Sequence, residues 1–277
     1  MELNIPKLPV GDGIEAFINF TTDHFSFITR AISDITETGL DALIEGMLFF
    51  NPIVLILIFT ALIYKFSTRR IAISSFAGLL FIWNLGLWEA TISTLALVII
   101  ATMVSVAVGV PLGITAALYK SFHRVLMPIL DFMQTMPAFV YLIPAIPFFG
   151  LGPVSAIFTT VIFSMPPAIR LTSLGIQQVP TELIEAADAF GSTKKQKLFK
   201  LQLPIAMPTI MAGINQTIML ALSMVVIAAM IGAGGLGGEV WRSIQRLWMG
   251  RGFEAGIAVV IIAMILDRVT QKLSEKK

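Results

Sequence analysis

The sequence predicts an all-α polytopic membrane protein, with about seven transmembrane helices and an amphipathic amino-terminal segment on the outer face. Three observations predict it. Of 277 residues, 56% are hydrophobic and 13% charged, with a mean hydropathy of +0.87, whereas an ordinary soluble domain has about 25% charged residues. The apolar residues gather in long runs rather than in the short periodic patterns of a soluble core. Lys and Arg collect in alternate loops between those runs, the distribution that a polytopic topology leaves behind.

Residues 1–13 contain Pro and Gly without a basic start and an apolar core, so they do not read as a cleaved secretory signal. Within 14–44, Phe17, Phe20, Phe25, Ile28, Ile32, Ile35 and Leu40 recur at near-helical spacing among Asp23, Asp34, Glu37 and Asp41. This predicts an amphipathic helix whose apolar face meets lipid or protein, a choice that periodicity leaves open. Residues 1–46 are thus read as an external segment and 47–277 as the transmembrane domain. A span needs about 20 mostly apolar residues, because a helix rises about 1.5 Å per residue across about 30 Å of hydrocarbon. The runs that qualify are 47–64, 71–87, 91–118, 125–149, 154–166, 207–231 and 253–269, the fifth being short enough to continue past Pro167.

Orientation follows from charge. One set of segments holds Lys65, Arg69, Arg70, Lys120, Arg124, Arg170, Lys194, Lys195, Lys197, Lys200, Arg268, Lys272, Lys276 and Lys277, most of the 19 Lys and Arg in the chain. The opposite side holds Lys7, Arg30, Arg242, Arg246 and Arg251 beside the acids of the amino-terminal segment. The first set is predicted to be cytoplasmic, with the amino terminus outside and the carboxyl terminus inside.

The expected cytoplasmic loop 167–206 is polar, basic and helix-forming, with Pro180 predicted in the first turn of a helix that runs to Phe190. It contains Glu182, then Glu185-Ala186-Ala187, then Gly191, and it closes on Leu201, Leu203 and Pro204. Small alanines permit close approach to another protein, and Gly191 can adopt the positive φ that ends a helix. An ordinary solvated helix-turn-helix shares these features singly. The complete spacing resembles the EAA motif of binding-protein-dependent ABC importer permeases, with Leu201 where isoleucine is more usual. The resemblance extends to segments 134–141, 174–176, 212–216 and 220–224, which are similar to the glycine betaine/proline betaine permeases of the osmoprotectant-uptake ABC family.

That resemblance implies a type I ABC importer permease-like fold in the plasma or inner membrane of a prokaryote, and a permease homodimer bound to two ATPase subunits. It also implies an extracellular solute-binding protein that delivers quaternary ammonium solutes. Because the chain stops at Lys277, that receptor is expected to be a separate polypeptide. ATP and Mg are expected on the partner ATPase, with no cofactor bound by this chain. Glu182, Glu185, Ala186, Ala187 and Gly191 are the expected ATPase-coupling residues. The alternatives are a permease for another small solute, such as an amino acid or sulfonate, and a channel or secondary carrier that works without an ATPase.

A quaternary ammonium has no hydrogen-bond donor, so aromatic faces attract it by about 0.5–2 kcal/mol per contact. The fourth run supplies Phe132, Phe139, Tyr141, Phe148 and Phe149, with Met136 beside Pro137, and Pro144 and Pro147 further on. Prolines free carbonyls and bend the helix, and a broken helix can line a cavity. The same aromatics equally suit contact with lipid or neighbouring helices. Asn215, Met219 and Ser223 lie four apart on the sixth run and are expected to form one stripe, for interhelical hydrogen bonds or for a pore. Asp131, near the cytoplasmic end of the fourth run, either attracts a cation or reaches the headgroup region.

Several patterns carry no chemistry. Gly232, Gly234 and Gly237 satisfy GxGxxG without the strand that a dinucleotide site requires, and Gly191-Ser192-Thr193-Lys194 lacks the order of a phosphate loop. Gly109 and Gly113 form GxxxG around Pro111, which predicts close helix packing. There is no cysteine, and His24 and His123 fall on opposite sides of the predicted membrane. Neither a metal cluster nor a Ser-His-acid set can be assembled, so catalysis is not expected. Nucleic-acid binding is not expected from a net charge of +2.

Overall fold

A computed structural model describes residues 9–275, and among them every regular element is helical. Lys7, Lys276 and Lys277, named above in the charge pattern, lie outside the described residues. The amino-terminal helix α1 (Val10–Leu48) keeps Phe17, Phe20, Phe27 and Ile35 exposed along most of its length. Near its end Leu40 is buried in the main core. The chain then bends by 100° into α2 (Pro52–Phe66). Asn51 makes that corner: its side chain accepts a hydrogen bond from the Ile53 N–H at 3.1 Å, and Pro52 takes the first helical position, where its missing N–H costs nothing.

After α2 come α3 (Arg69–Asn84) and α4 (Trp88–Leu118), then α5 (Lys120–Thr135). A 3₁₀ turn at Ala138–Tyr141 leads to α6 (Leu142–Phe149), followed by α7 (Pro153–Gln177). Two short helices, α8 (Thr181–Ala189) and α9 (Lys194–Gln196), precede a π-helical stretch, Lys197–Gln202, that runs into α10 (Leu203–Ala228). The chain ends with α11 (Gly235–Gln245) and α12 (Met249–Glu275).

Four described helical stretches are long and apolar enough to cross a bilayer singly: α4, α7, Lys194–Ile231 and Met249–Lys272. Two bent pairs, α1 with α2 and α5 with α6, raise the number to six if each is one span. The remaining expected run became α3, whose 16 residues rise only about 24 Å. The fifth run does continue through Pro166-Pro167 to Gln177. The fourth, expected as one bent helix, is broken outright at Met136-Pro137, with a 110° change of direction. Pro137 permits this, because a residue before proline is biased to extended backbone, and Met136 sits at φ −70°, ψ 133°.

The centre is a packed trio of α4, α7 and α10, held by small residues where backbones touch. A Cβ on Gly113 would stand 2.6 Å from the Ile169 carbonyl oxygen, and one on Gly213 would stand 3.1 Å from that of Pro167. The GxxxG of α4 is therefore the α4–α7 seam. Across it the Ser105 hydroxyl lies 3.2 Å from the Val161 carbonyl and 3.1 Å from the Ser164 hydroxyl, an interhelical polar contact. At one end of the bundle Thr94 Oγ1 accepts the Leu236 N–H at 2.8 Å, which fixes α11 across the start of α4. Gly232 and Gly234, both at positive φ, form the tight turn before it. The opposite end carries the α4–α5 corner and the hairpin α8–α9.

A capped hairpin at one end and an exposed face on a broken span

The segment that leaves the packed helices is narrower than 167–206. Residues up to Gln177 complete α7, where Thr172, Ser173, Gly175 and Ile176 are buried, and Leu203 already belongs to α10. What protrudes is 178–202. Pro180 stands at the N-cap rather than in the first turn, and Glu182 lies in the first turn of α8, where the helix dipole favours an acid.

The far end of α8 is closed by backbone geometry. Gly191 sits at φ +71°, its N–H donates to the Asp188 carbonyl at 2.9 Å, and the Ser192 N–H donates to that of Ala187 at 2.9 Å. This is the Schellman arrangement, and the glycine is required by the left-handed φ. Immediately afterwards Thr193 and Gln196 make a reciprocal capping box that starts α9. Lys197 Nζ donates to both Asp188 carboxylate oxygens at 2.6 and 2.8 Å and ties the two arms together. Leu198 packs with Ile176, Ala206 and Ile210, anchoring the hairpin to α7 and α10.

The fold therefore makes this hairpin rigid without burying α8. Glu182, Glu185, Ala186 and Gly191 are exposed and Ala187 is half-buried, so all five expected coupling residues share one projecting element. Phe190 at its tip is 90% exposed and Leu183 is also exposed, a display of apolar surface that water alone does not favour. Sequence reasoning missed the Thr193/Gln196 box, although its S/T-x-x-E/Q spacing is readable. It also missed the Asp188–Lys197 clamp, which no local pattern announces.

The expected pathway residues divide. On the broken span, Val125, Ile129, Phe132, Phe139 and Ile143 are exposed, and Met136 is half-buried between them. Tyr141 instead points inward: it belongs to the main core, meets Phe163 edge to face at 5.8 Å, and its hydroxyl donates to the Met133 carbonyl in the last turns of α5. Its place is structural, pinning the bend. Asp131 is exposed but paired with Arg170 on α7, so its charge is already answered.

On α10 the expected single stripe splits. Asn215 turns toward α12, where its Nδ2 donates to Asp267 Oδ1 at 2.8 Å, and Gln271 Nε2 donates to the same oxygen at 2.7 Å. Ser223 remains on the exposed side with Gln216, its hydroxyl donating back to the Met219 carbonyl at 3.0 Å, and Met219 is half-buried. Four residues are slightly more than one turn, so a straight helix rotates such a row by about 40° per step. That drift separates Asn215 from Ser223.

A bundle crossed by apolar helices, with a rigid hairpin projecting from one end, defines a multi-pass membrane protein. Comparison with known proteins agrees: residues 109–276 match the family described as the binding-protein-dependent transport system inner membrane component, and the chain belongs to it. It is 51% identical over 273 residues to the glycine betaine transport system permease protein OpuAB of Bacillus subtilis (strain 168), covering 99% of this chain and 97% of that protein. It is 48% identical over 280 residues to the glycine betaine/carnitine transport permease protein GbuB of Listeria monocytogenes serotype 1/2a (strain 10403S), covering 99% and 98%. With the glycine betaine/proline betaine transport system permease protein ProW of Escherichia coli (strain K12) it shares 44% identity over 267 residues, covering 95% of this chain and 75% of that one. Among solved structures, an inward-facing MetNI methionine ABC transporter superposes with a TM-score of 0.63 at 21% identity, covering 69% of this chain and 95% of that chain, a likeness of fold. The chain is thus a multi-pass permease subunit with the type I importer fold.

Proposed function

We propose that this chain moves glycine betaine or a related quaternary ammonium osmoprotectant across a prokaryotic cell membrane, as the permease of an ATP-driven importer. The observation that carries the coupling part is the projecting hairpin, with no residue of α8 buried, on a rigid, doubly capped base. Two copies pair around a central path. Each hairpin docks on an ATPase subunit, and an external receptor delivers the solute. The cargo follows the names of the relatives together with the aromatic, donor-poor chemistry of the exposed Phe132 and Phe139. With α3 making a seventh, shorter crossing, the hairpin end faces the cytoplasm, the end bearing α11 faces outward, and the amino terminus is outside, in keeping with the basic loops.

ATP and Mg act on the partner. Closure of the ATPase pair carries the docked hairpins, and the rigid α7–α10 core transmits that movement to the exposed faces, opening the path outward. Hydrolysis resets it. This chain supplies geometry and a path, and no chemical step.

The test is ATP-dependent uptake of labelled glycine betaine into vesicles holding this chain, its ATPase and its receptor, with choline, carnitine, an amino acid and a sulfonate as competitors. Uptake that needs all three components and is competed by the quaternary ammonium compounds alone is the expected result. Flux through this chain without an ATPase, or competition only by the amino acid or the sulfonate, contradicts it.

A further inference from the structure

We propose that the Asp131–Arg170 pair is a mechanical strut that makes α5 follow α7 during transport, so that Asp131 is a positioning residue and not a cargo contact. The proposal rests on the coupling reading above.

Few contacts attach α5. It buries Leu130, and its last turns are pinned by the Tyr141 hydroxyl on the Met133 carbonyl. A crevice of about 560 Å³ separates its polar face from α4 and α7, lined by Lys120, His123, Arg124, Asp131 and Gln177 among others. Across that gap, the bond from Arg170 Nη2 to Asp131 Oδ1 is the charged link. The opposite face of α5 carries Val125, Ile129 and Phe132, continued by Phe139 beyond the bend, which is the exposed face assigned above to the path.

By contrast, α7 is locked. It meets α4 and α10 along glycine seams at backbone distance, and its end at Gln177 leads through Val179, itself 4% exposed, into α8. Arg170 lies two turns before that end, about 10 Å along the helix. A displacement of the hairpin therefore reaches α7 directly, and it reaches α5 at its start through the Tyr119 corner that borders the hairpin and further along through Leu130 and the ion pair. Arg170 Nε is buried without a hydrogen-bond partner, so the guanidinium's charge is answered through Nη2. Removing the carboxylate frees a thinly anchored helix while leaving the glycine-packed trio unchanged. An isolated solvent-exposed pair contributes little to stability, so the consequence is expected in coupling rather than in folding.

The complete complex with ATPase and receptor, in vesicles, tests this. D131N is expected to lower the solute moved per ATP hydrolysed by about fivefold, with the KM for solute and the basal ATPase rate unchanged. The exchange variant D131R/R170D is expected to regain at least half of the lost ratio. Because the chain has no cysteine, spin labels at S121C on α5 and L174C on α7 report the gap directly. Their separation is expected to keep one narrow distribution with and without ATP in the parent chain, and to broaden in D131N. An unchanged transport ratio and unchanged distances in D131N overturn the strut. A raised KM with an intact ratio also overturns it, returning Asp131 to cargo. If D131N assembles poorly, the same labels on D131E, which keeps the charge, decide: narrow distances support the strut and broad ones refute it. Failure of the parent chain to show ATP-driven uptake would instead remove the coupling reading itself.

Discussion

The hairpin and the broken span are both interruptions of helix, yet they are built in opposite ways. The hairpin closes its ends locally: Gly191, Thr193, Gln196 and the Asp188–Lys197 clamp all lie within ten residues of one another. The broken span leans on another helix: Arg170 of α7 reaches Asp131, and Tyr141, whose hydroxyl pins Met133, packs against Phe163 of α7. A locally capped element keeps its shape when a partner pushes on it. An element held by a few distant contacts can be repositioned, which suits a surface that must open and close.

The comparison breaks most visibly at its common support. Placing leucine at Gly113 sets a side chain against the Ile169 carbonyl, where even a Cβ would be at 2.6 Å, so G113L is expected to abolish recovery of folded, monodisperse protein in detergent. G191V comes next. Valine at φ +71° loses the left-handed cap at a cost of about 1–2 kcal/mol, and it is expected to cut uptake at least tenfold, with membrane insertion and parent-level expression retained. Equal uptake by G191V would mean that the shape of the hairpin is irrelevant.

Two neighbours on the broken span sharpen the contrast. F139A removes an exposed aromatic and is expected to raise the KM for glycine betaine several-fold, by about 0.5–2 kcal/mol, with an unchanged melting temperature. Y141F, two residues on, removes a hydrogen bond inside the core and is expected to do the reverse, lowering stability by about 1 kcal/mol with the KM unchanged. The smallest effect belongs to K197M. Its pair with Asp188 is partly exposed, so a loss of at most about 1 kcal/mol in thermal stability is expected, with coupled uptake close to that of the parent.

The same division decided what could be read from sequence. The outline of the hairpin was legible because its markers are local, an acid in the first turn, paired alanines and a glycine followed by a basic helix within one window, whereas the Asp188–Lys197 clamp depends on how the two arms fold together. Pro137 announced a disturbed span, but whether it kinks or breaks the helix depends on what the ends pack against. Tyr141 looked like its aromatic neighbours, and only the fold of α5 back over it turned its hydroxyl inward. Asn215 with Asp267 and Asp131 with Arg170 were invisible, since 52 and 39 residues separate the partners. A four-residue spacing on α10 suggested one stripe, and rotation of the helix divided it between α12 and the exposed face.

The central claim, that the end of the molecule bearing α8 meets the ATPase, is tested most directly by a photo-crosslinking residue at Phe190, whose side chain is 90% exposed at the hairpin tip. In intact cells that express the complete system, illumination should join this chain to the ATPase subunit from position 190, and not from Phe17 on α1. Adducts from position 190 with the external receptor alone, or from Phe17 with the ATPase, would contradict the proposed topology and coupling together.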